Sequence, residues 1–179
     1  MATTNLGDTA LILGGVQQIL ITPYTAAGTL GTDTYSLDQI VADSTSITQE
    51  DNTTNAIDSE TKDEPIYENI TLGRYTVTMN SGDIQSDLLT KIMGFIISGG
   101  NICAPNTYKP VWAKIEAAFN DGTLVCPKVK ISGRIEAASL KTGIVQGIIS
   151  GTCYAGKVGT SSDAPLTPFY IIPKASGGD

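Results

Sequence analysis

Few residues of this chain could carry chemistry, and histidine is absent from all 179 positions. Without an imidazole, Ser-His-Asp catalysis, Cys-His catalysis and every histidine-containing metal site are excluded. The three cysteines, Cys103, Cys126 and Cys153, have neither C-x-x-C spacing nor the even number of a disulfide framework. We therefore expect buried free thiols at these positions.

Two short patterns resemble signatures of penicillin-binding enzymes. Ser59-Glu60-Thr61-Lys62 has the form S-x-x-K, and Lys141-Thr142-Gly143 has the form K-T-G. In that chemistry the serine opens a buried helix, so that the lysine can activate it. Ser59 instead stands among four carboxylates in the most polar stretch of the chain, and an S-D-N element is missing. We expect both matches to be coincidental.

The same polar stretch spaces its carboxylates in a way that resembles a calcium-binding loop. An EF-hand loop starting at Asp51 would need Gly where Ala56 stands and Glu where Lys62 stands. The phosphate-binding patterns G-x-x-x-x-G-K-[ST] and G-x-G-x-x-G are also missing. We therefore expect no catalytic residue, no metal site and no cofactor, in a chain that is not an enzyme.

Any functional surface must be positioned by strands, because the second half of the chain alternates with a period of two. Residues 123–137 place valines and isoleucines on one parity and basic side chains on the other. Residues 111–119 alternate in the same way, although their spacing also fits a short helix. They run into Asn120-Asp121-Gly122, a favoured hairpin turn, and this turn decides for a strand.

Further strands are predicted at residues 144–154, at 165–173 as a proline-bounded edge strand, at 72–80, and within 11–24. One amphipathic helix is predicted over residues 84–96, capped by Ser81 or Asp83 and ended with the help of Gly94 and of Gly99-Gly100. Its apolar positions are Ile84, Leu88, Ile92 and Phe95. The predicted fold is mainly β: a barrel or sandwich of about seven strands with one flanking α-helix. It forms a single domain over 1–179, with an extended acidic loop at about 50–64.

Charge is sparse and unevenly distributed. The net charge of −7 argues against a protein that grips nucleic acid or an anionic membrane. Charged residues make up 16% of the chain, against roughly 25% in an average domain, which favours an oligomer. Between Asp33 and Glu68 there are ten acids and one lysine, whereas Lys109 to Lys157 holds seven bases and three acids.

Two interpretations of this asymmetry stand side by side. The two regions are either separate solvated faces, or complementary surfaces through which one subunit contacts another. In the second case the candidate contact loop contains Glu50, Asp51, Asp58, Glu60, Asp63 and Glu64. The candidate complementary strand contains Lys128, Lys130 and Arg134.

The order of these elements resembles the tail-tube proteins of long-tailed bacteriophages and the related inner-tube proteins of contractile injection systems. Three stretches carry the resemblance: an acidic strand-loop-strand at 45–66, a strand running into the one helix at 73–94, and a hairpin with the last long strand at 119–154. The resemblance implies a β-barrel or sandwich flanked by a helix. It also implies six copies per ring, with stacked rings lining a channel for DNA.

On this resemblance we expect a structural virion protein that is located in the tail and assembled in the bacterial host cytoplasm. Its expected partners are further copies of itself, the baseplate or tip, the terminator and the tape measure, without a membrane. The acidic loop would contact a neighbouring subunit or ring, and the overall acidity would let DNA pass without tight binding. The alternative is another non-enzymatic virion component or binding module, such as a tail terminator or a capsid decoration protein.

Overall fold

The computed structural model describes residues 15–37, 39–41, 44–57, 67–82, 86–104, 106–107, 110–139, 144–159 and 163–174. Within these ranges the chain is mainly β, as the sequence predicted, and all of its strand pairs are antiparallel. The strands are β1 (Gln18–Pro23), β2 (Tyr35–Leu37), β3 (Ser46–Gln49), β4 (Thr53–Ile57), β5 (Tyr67–Thr71), β6 (Tyr75–Ser81), β7 (Ile96–Ser98), β8 (Asn101–Cys103), β9 (Val111–Phe119), β10 (Gly122–Ser139), β11 (Ile144–Tyr154), β12 (Gly156–Lys157), β13 (Leu166–Thr167) and β14 (Tyr170–Pro173).

One large sheet dominates, with the strand order β2-β1-β9-β10-β11-β6-β3. β9 and β10 are joined by the turn at Asn120-Asp121, so the prediction of a strand over 111–119 is confirmed and the rival helix is wrong. β14 pairs with the first residues of β10, Gly122–Val125. This position beside the main path of the sheet agrees with the predicted proline-bounded edge strand.

The sheet does not close into a barrel within the described residues. Closure requires the two outermost strands to pair, and β2 and β3 end the described sheet without pairing with each other. Among the described strands the barrel alternative is therefore not found, and an open, sandwich-like β arrangement fits the structure.

The core lies on one face of this sheet, because successive strand residues point to opposite faces. A bulge between Cys126 and Val129 shifts the register, so that Val125 and Cys126 are both buried before the alternation resumes. Each fully buried isoleucine or valine stabilises the fold by about 1.5–3 kcal/mol. The buried apolar residues of the central strands are Ile19, Ile21, Val77, Met79, Ala113, Ile115, Ala117, Val125, Cys126, Val129, Ile131, Ile149 and Cys153.

The predicted α-helix over 84–96 is wrong in length and type. In the described residues only 86–87 are α-helical, and Leu88–Ile92 form a π-helical turn. The Met93 N–H donates to the Leu88 carbonyl at 3.0 Å, which is the five-residue spacing of a π-helix. Gly94 follows with a φ of 75° and ends the segment.

The predicted helix boundaries also differ from the structure. Ser81 is the last residue of β6 rather than a cap, and Asp83 lies outside the described residues. Gly99-Gly100 do not end the helix, because both have positive φ and form the turn between β7 and β8.

The short helix nevertheless covers the sheet, as its apolar spacing predicted. Leu88, Leu89, Ile92 and Met93 are buried in the core. A Cβ placed on Gly133 of β10 would collide with the Met93 side chain. A glycine at this position therefore lets Met93 pack directly on the sheet backbone.

Candidate functional site: an exposed arm and a basic sheet face

The acidic stretch begins as a strand rather than as a loop. β4 pairs with β5, with Thr53 opposite Thr71 and Ile57 opposite Tyr67. We call residues 53–71 the arm. Threonine and isoleucine favour extended backbone, which accounts for a strand where a loop was predicted.

The arm leaves the sheet at a well-defined base between β3 and β6. The Glu50 N–H donates to the Arg74 carbonyl at 2.9 Å, and the Gly73 N–H donates to Asn52 Oδ1 at 3.0 Å. A Cβ on Gly73 would collide with the Glu50 carbonyl, so this crossing requires glycine. The predicted contact residues Glu50 and Asp51 lie at this base and are exposed.

The rest of the predicted contact loop cannot be placed. Asp58, Glu60, Asp63 and Glu64 lie outside the described residues. So do the whole S-x-x-K and K-T-G patterns.

The rest of the described chain does not cover β4 and β5, the two strands of the arm. All ten residues of β4 and β5 are exposed. Four large apolar side chains stand in solvent at or beside the arm: Ile57 is 60% exposed, Tyr67 56%, Ile70 56% and Leu72 72%. A lone two-stranded hairpin is marginal in water, and clustered exposed apolar groups mark interaction surfaces. The arm therefore has the features of a contact element.

The predicted basic strand is formed as expected. Lys128, Lys130 and Arg134 have the same parity on β10 and project from the face opposite the core, with Lys128 and Arg134 exposed and Lys130 half-buried. Arg74 lines a shallow depression of about 330 Å³ together with Lys130. We call this side of the sheet the open face.

The open face is basic although the whole chain is acidic. Strand β9, which pairs with β10, contributes the ion pair Lys114–Glu116, with 2.8 Å between Nζ and Oε1. The negative net charge is therefore not spread evenly over the chain. The face that carries the bases belongs to β10, a central strand of the large sheet.

A groove at one end of the sheet was not found from the sequence. It has a volume of about 640 Å³ and lies where β1 ends, β9 begins and β10 passes. Its described lining consists of Pro23, Tyr24, Thr25, Ala26, Gly28, Lys91, Pro110, Val111, Trp112 and Lys128. The sequence indicated Trp112 only as a core or interface residue, because nothing local shows that residues so far apart meet.

The aromatic groups of the groove are held in place. The Lys128 Nζ lies 5.1 Å from the centroid of the Trp112 ring, and the Tyr154 ring meets Trp112 edge-on at 5.1 Å. The Tyr24 hydroxyl donates to the Pro127 carbonyl at 2.8 Å. Burial raises the pKa of Tyr24 and the Lys114 charge opposes this, so the hydroxyl stays protonated and keeps donating.

The three cysteines differ in how far they are buried. Cys126 and Cys153 are buried and Cys103 is half-buried, all three as free thiols. The hydrogen bond to Cys153, together with burial, raises the pKa of Cys126, which keeps that thiol protonated near neutral pH. The expectation of buried free thiols is therefore met at two of the three positions.

The described residues contain no group of three Cys, Asp or Glu side chains that is placed to ligate a metal ion. No helix in this part of the chain has the length and apolar character needed to cross a membrane.

The sequence matches no protein-family model, and it matches no curated protein sequence. The chemistry of the arm, the open face and the groove therefore follows from their own residues. Apolar side chains in solvent, clustered bases and a groove lined by aromatic rings are all suited to binding.

Proposed function

We propose that the chain is a structural subunit that polymerises with copies of itself into the tube of a phage tail, as its resemblance to tail-tube proteins implies. The observation that carries the proposal is the arm: ten strand residues, all exposed, with large apolar side chains that the described chain leaves uncovered. Covering such side chains is favourable, and each would contribute on the order of 1–2 kcal/mol to association.

The charges support a contact between unlike surfaces of two copies. The arm region is acidic, and the open face carries Lys128, Lys130 and Arg134. A contact between two different surfaces is heterologous, so each added copy leaves one arm and one face free for the next. Such contacts generate rings or filaments, and stacked rings of six copies around a channel are the form we propose.

The free edges of the sheet support closure at the level of the ring. Within the described residues, β2 and β3 end the sheet, and β3 has only four residues. An open edge presents unpaired N–H and C=O groups to another strand. In the proposed ring, neighbouring copies would pair at these edges, so that the assembly would close the sheet that stays open within the described residues of one copy.

Electron microscopy of the purified protein, combined with light scattering, tests the proposal. We expect closed rings and hollow tubes whose length increases with protein concentration. Monomers that persist at about 100 μM, well above the micromolar range of weak specific association, would contradict it. Rings that never stack would instead favour a tail terminator.

DNA passage without tight binding is also part of the proposal. The net charge of −7 per copy repels the DNA phosphates. A basic open face that lined the channel would attract them and weaken this repulsion. We expect no submicromolar affinity for duplex DNA at about 0.15 M salt. A fluorescence anisotropy titration with labelled duplex DNA measures this affinity.

A further inference from the structure

The groove combines apolar rings with positive charge. Its described lining contains two aromatic residues, Tyr24 and Trp112, and two lysines, Lys91 and Lys128, without a carboxylate. Both lysines are exposed. The volume of about 640 Å³ is in the range of roughly 300–1,000 Å³ that is usual for ligand sites. A ligand that fits this groove carries apolar side chains together with several carboxylates.

The groove is preformed. Tyr24 is held by its hydrogen bond to the Pro127 carbonyl, and the Trp112 ring contacts both the Lys128 ammonium and the Tyr154 ring. A ligand would not have to order these side chains, which lowers the entropic cost of binding.

The end of the arm has the matching chemistry. Residues 57–68 contain five carboxylates and one lysine, hence a net charge of −4. The same residues include Pro65 as well as Ile57 and Tyr67, which are both more than half exposed. Aromatic-lined grooves are a recurrent way of binding proline-containing segments.

We propose that the groove receives the arm end, residues 57–68, of a second copy of this chain. The Trp112 and Tyr24 rings contact its apolar side chains, and Lys91 and Lys128 face its carboxylates. The proposal rests on the self-assembly proposed above and names the docking site for it. It also narrows the contact surface from the whole basic strand to the end of that strand nearest the groove.

We assign the arm end to a second copy because the described strands of the arm, β4 and β5, do not line the groove of their own chain. The ladder of five residue pairs in the arm is about 17 Å long at 3.4 Å per residue. It is exposed along its whole described length, including Ile57 and Tyr67 at the far end. A contact between the arm of one copy and the groove of the next is heterologous. Each added copy therefore still has an unoccupied arm or groove that can bind a further copy.

Fluorescence gives a direct test, because Trp112 is the one tryptophan of the sequence and lies in the groove. A synthetic peptide with the sequence of residues 57–68 is titrated into dilute full-length protein. We expect a saturable change in Trp112 emission. Lys91→Glu and Lys128→Glu should each weaken peptide binding roughly tenfold, because a repulsion replaces an attraction.

The matched control is Arg134→Glu. It makes the same charge change at an exposed position on the same strand and face, but Arg134 lies six residues from Lys128, about 20 Å at 3.4 Å per residue, and does not line the groove. We expect the affinity of this variant for the peptide to stay within about twofold of the original, since exposed charges at that distance are screened. Lys91→Glu is the second groove variant because Lys128 lies over the Trp112 ring, so that its substitution acts directly on the emission of that ring.

Charge exchange then links the groove to assembly. Glu60→Lys combined with Glu64→Lys should reduce association measured by light scattering, and adding Lys128→Glu should restore much of it. Absence of a Trp112 response, or equal losses for Arg134→Glu and Lys128→Glu, would overturn the groove proposal. If Lys91→Glu and Lys128→Glu leave association unchanged, the groove is not the docking site, and the tube proposal remains. If the peptide binds but the protein does not assemble, the groove proposal remains and the tube proposal is rejected.

Discussion

Two hairpins of this protein follow the same local rules and differ in what covers them. The central hairpin, β10–β11, has one face in the core, where Val129, Ile131 and Ile149 are at most 1% exposed. The arm hairpin, β4–β5, has a regular antiparallel ladder, yet all ten residues of its two strands are exposed. A regular strand pair is therefore present here without burial, whereas burial determines how much a strand pair contributes to the stability of the fold.

The largest effect is expected in the central hairpin. Ile131→Asp places a carboxylate at a position that is 1% exposed, and it should lower the free energy of unfolding by about 4 kcal/mol or more. Urea unfolding followed by circular dichroism measures the loss. Ser132→Asp is the matched control, since Ser132 is the exposed next residue and should change stability by at most about 0.5 kcal/mol. Similar losses in both variants would refute the distinction between the two faces.

Replacing the arm should separate folding from assembly. In a variant with a short Gly-Ser linker in place of residues 53–71, Asn52 and Gly73 are kept because they close the base. We expect the free energy of unfolding to change by less than about 1 kcal/mol, because loop closure depends weakly on length. Tubes should disappear from electron micrographs of the same sample. Tubes of normal length would show that the arm is only a solvated hairpin, and loss of cooperative unfolding would show that it supports the fold.

A single substitution at the arm end should give a smaller effect. Ile57→Asp removes an exposed apolar side chain, and we expect association to weaken roughly tenfold, in line with about 1.4 kcal/mol of lost burial. Asn55→Asp adds the same charge on the same strand and face without removing apolar surface. Concentration-dependent light scattering compares the two. Equal weakening would mean that added charge alone, not lost apolar contact, governs the association.

Thiol labelling compares how accessible the cysteines are in the β7–β8 hairpin and in the central hairpin of the unsubstituted protein. Cys103 belongs to the β7–β8 hairpin and is half-buried, whereas Cys126 and Cys153 lie in the core. At pH 8 an aromatic disulfide reagent should label Cys103 rapidly, and it should reach the other two only after unfolding, because burial makes them inaccessible. Cys103→Ser should abolish the fast phase. A fast phase that persists in that variant would show that the central hairpin opens readily.

Much of the strand content follows from local pattern. Alternation over residues 123–137 predicts both the strand and the side that carries Lys128, Lys130 and Arg134, and Asn120-Asp121-Gly122 predicts the turn before it. The type of the short helix does not follow from its sequence, because the i, i+4 spacing of Leu88 and Ile92 is shared by any helix that packs on a sheet. The strand β4 is missed because its polar residues outnumber its apolar ones, a composition typical of a loop.

The sequence by itself determined that residues 111–119, 123–137 and 144–154 are extended, where the tight turn falls, and that one side of the long strands is apolar and the other basic. Those properties depend on residues within a few positions of one another. Only the tertiary structure decided that the sheet stays open within the described residues, that Met93 packs on Gly133, and that the two strands of the arm, β4 and β5, are exposed. It alone brought Tyr24, Lys91, Trp112 and Lys128 to one groove. These contacts join segments distant in sequence, and they depend on how whole surfaces pack, for which no local pattern exists.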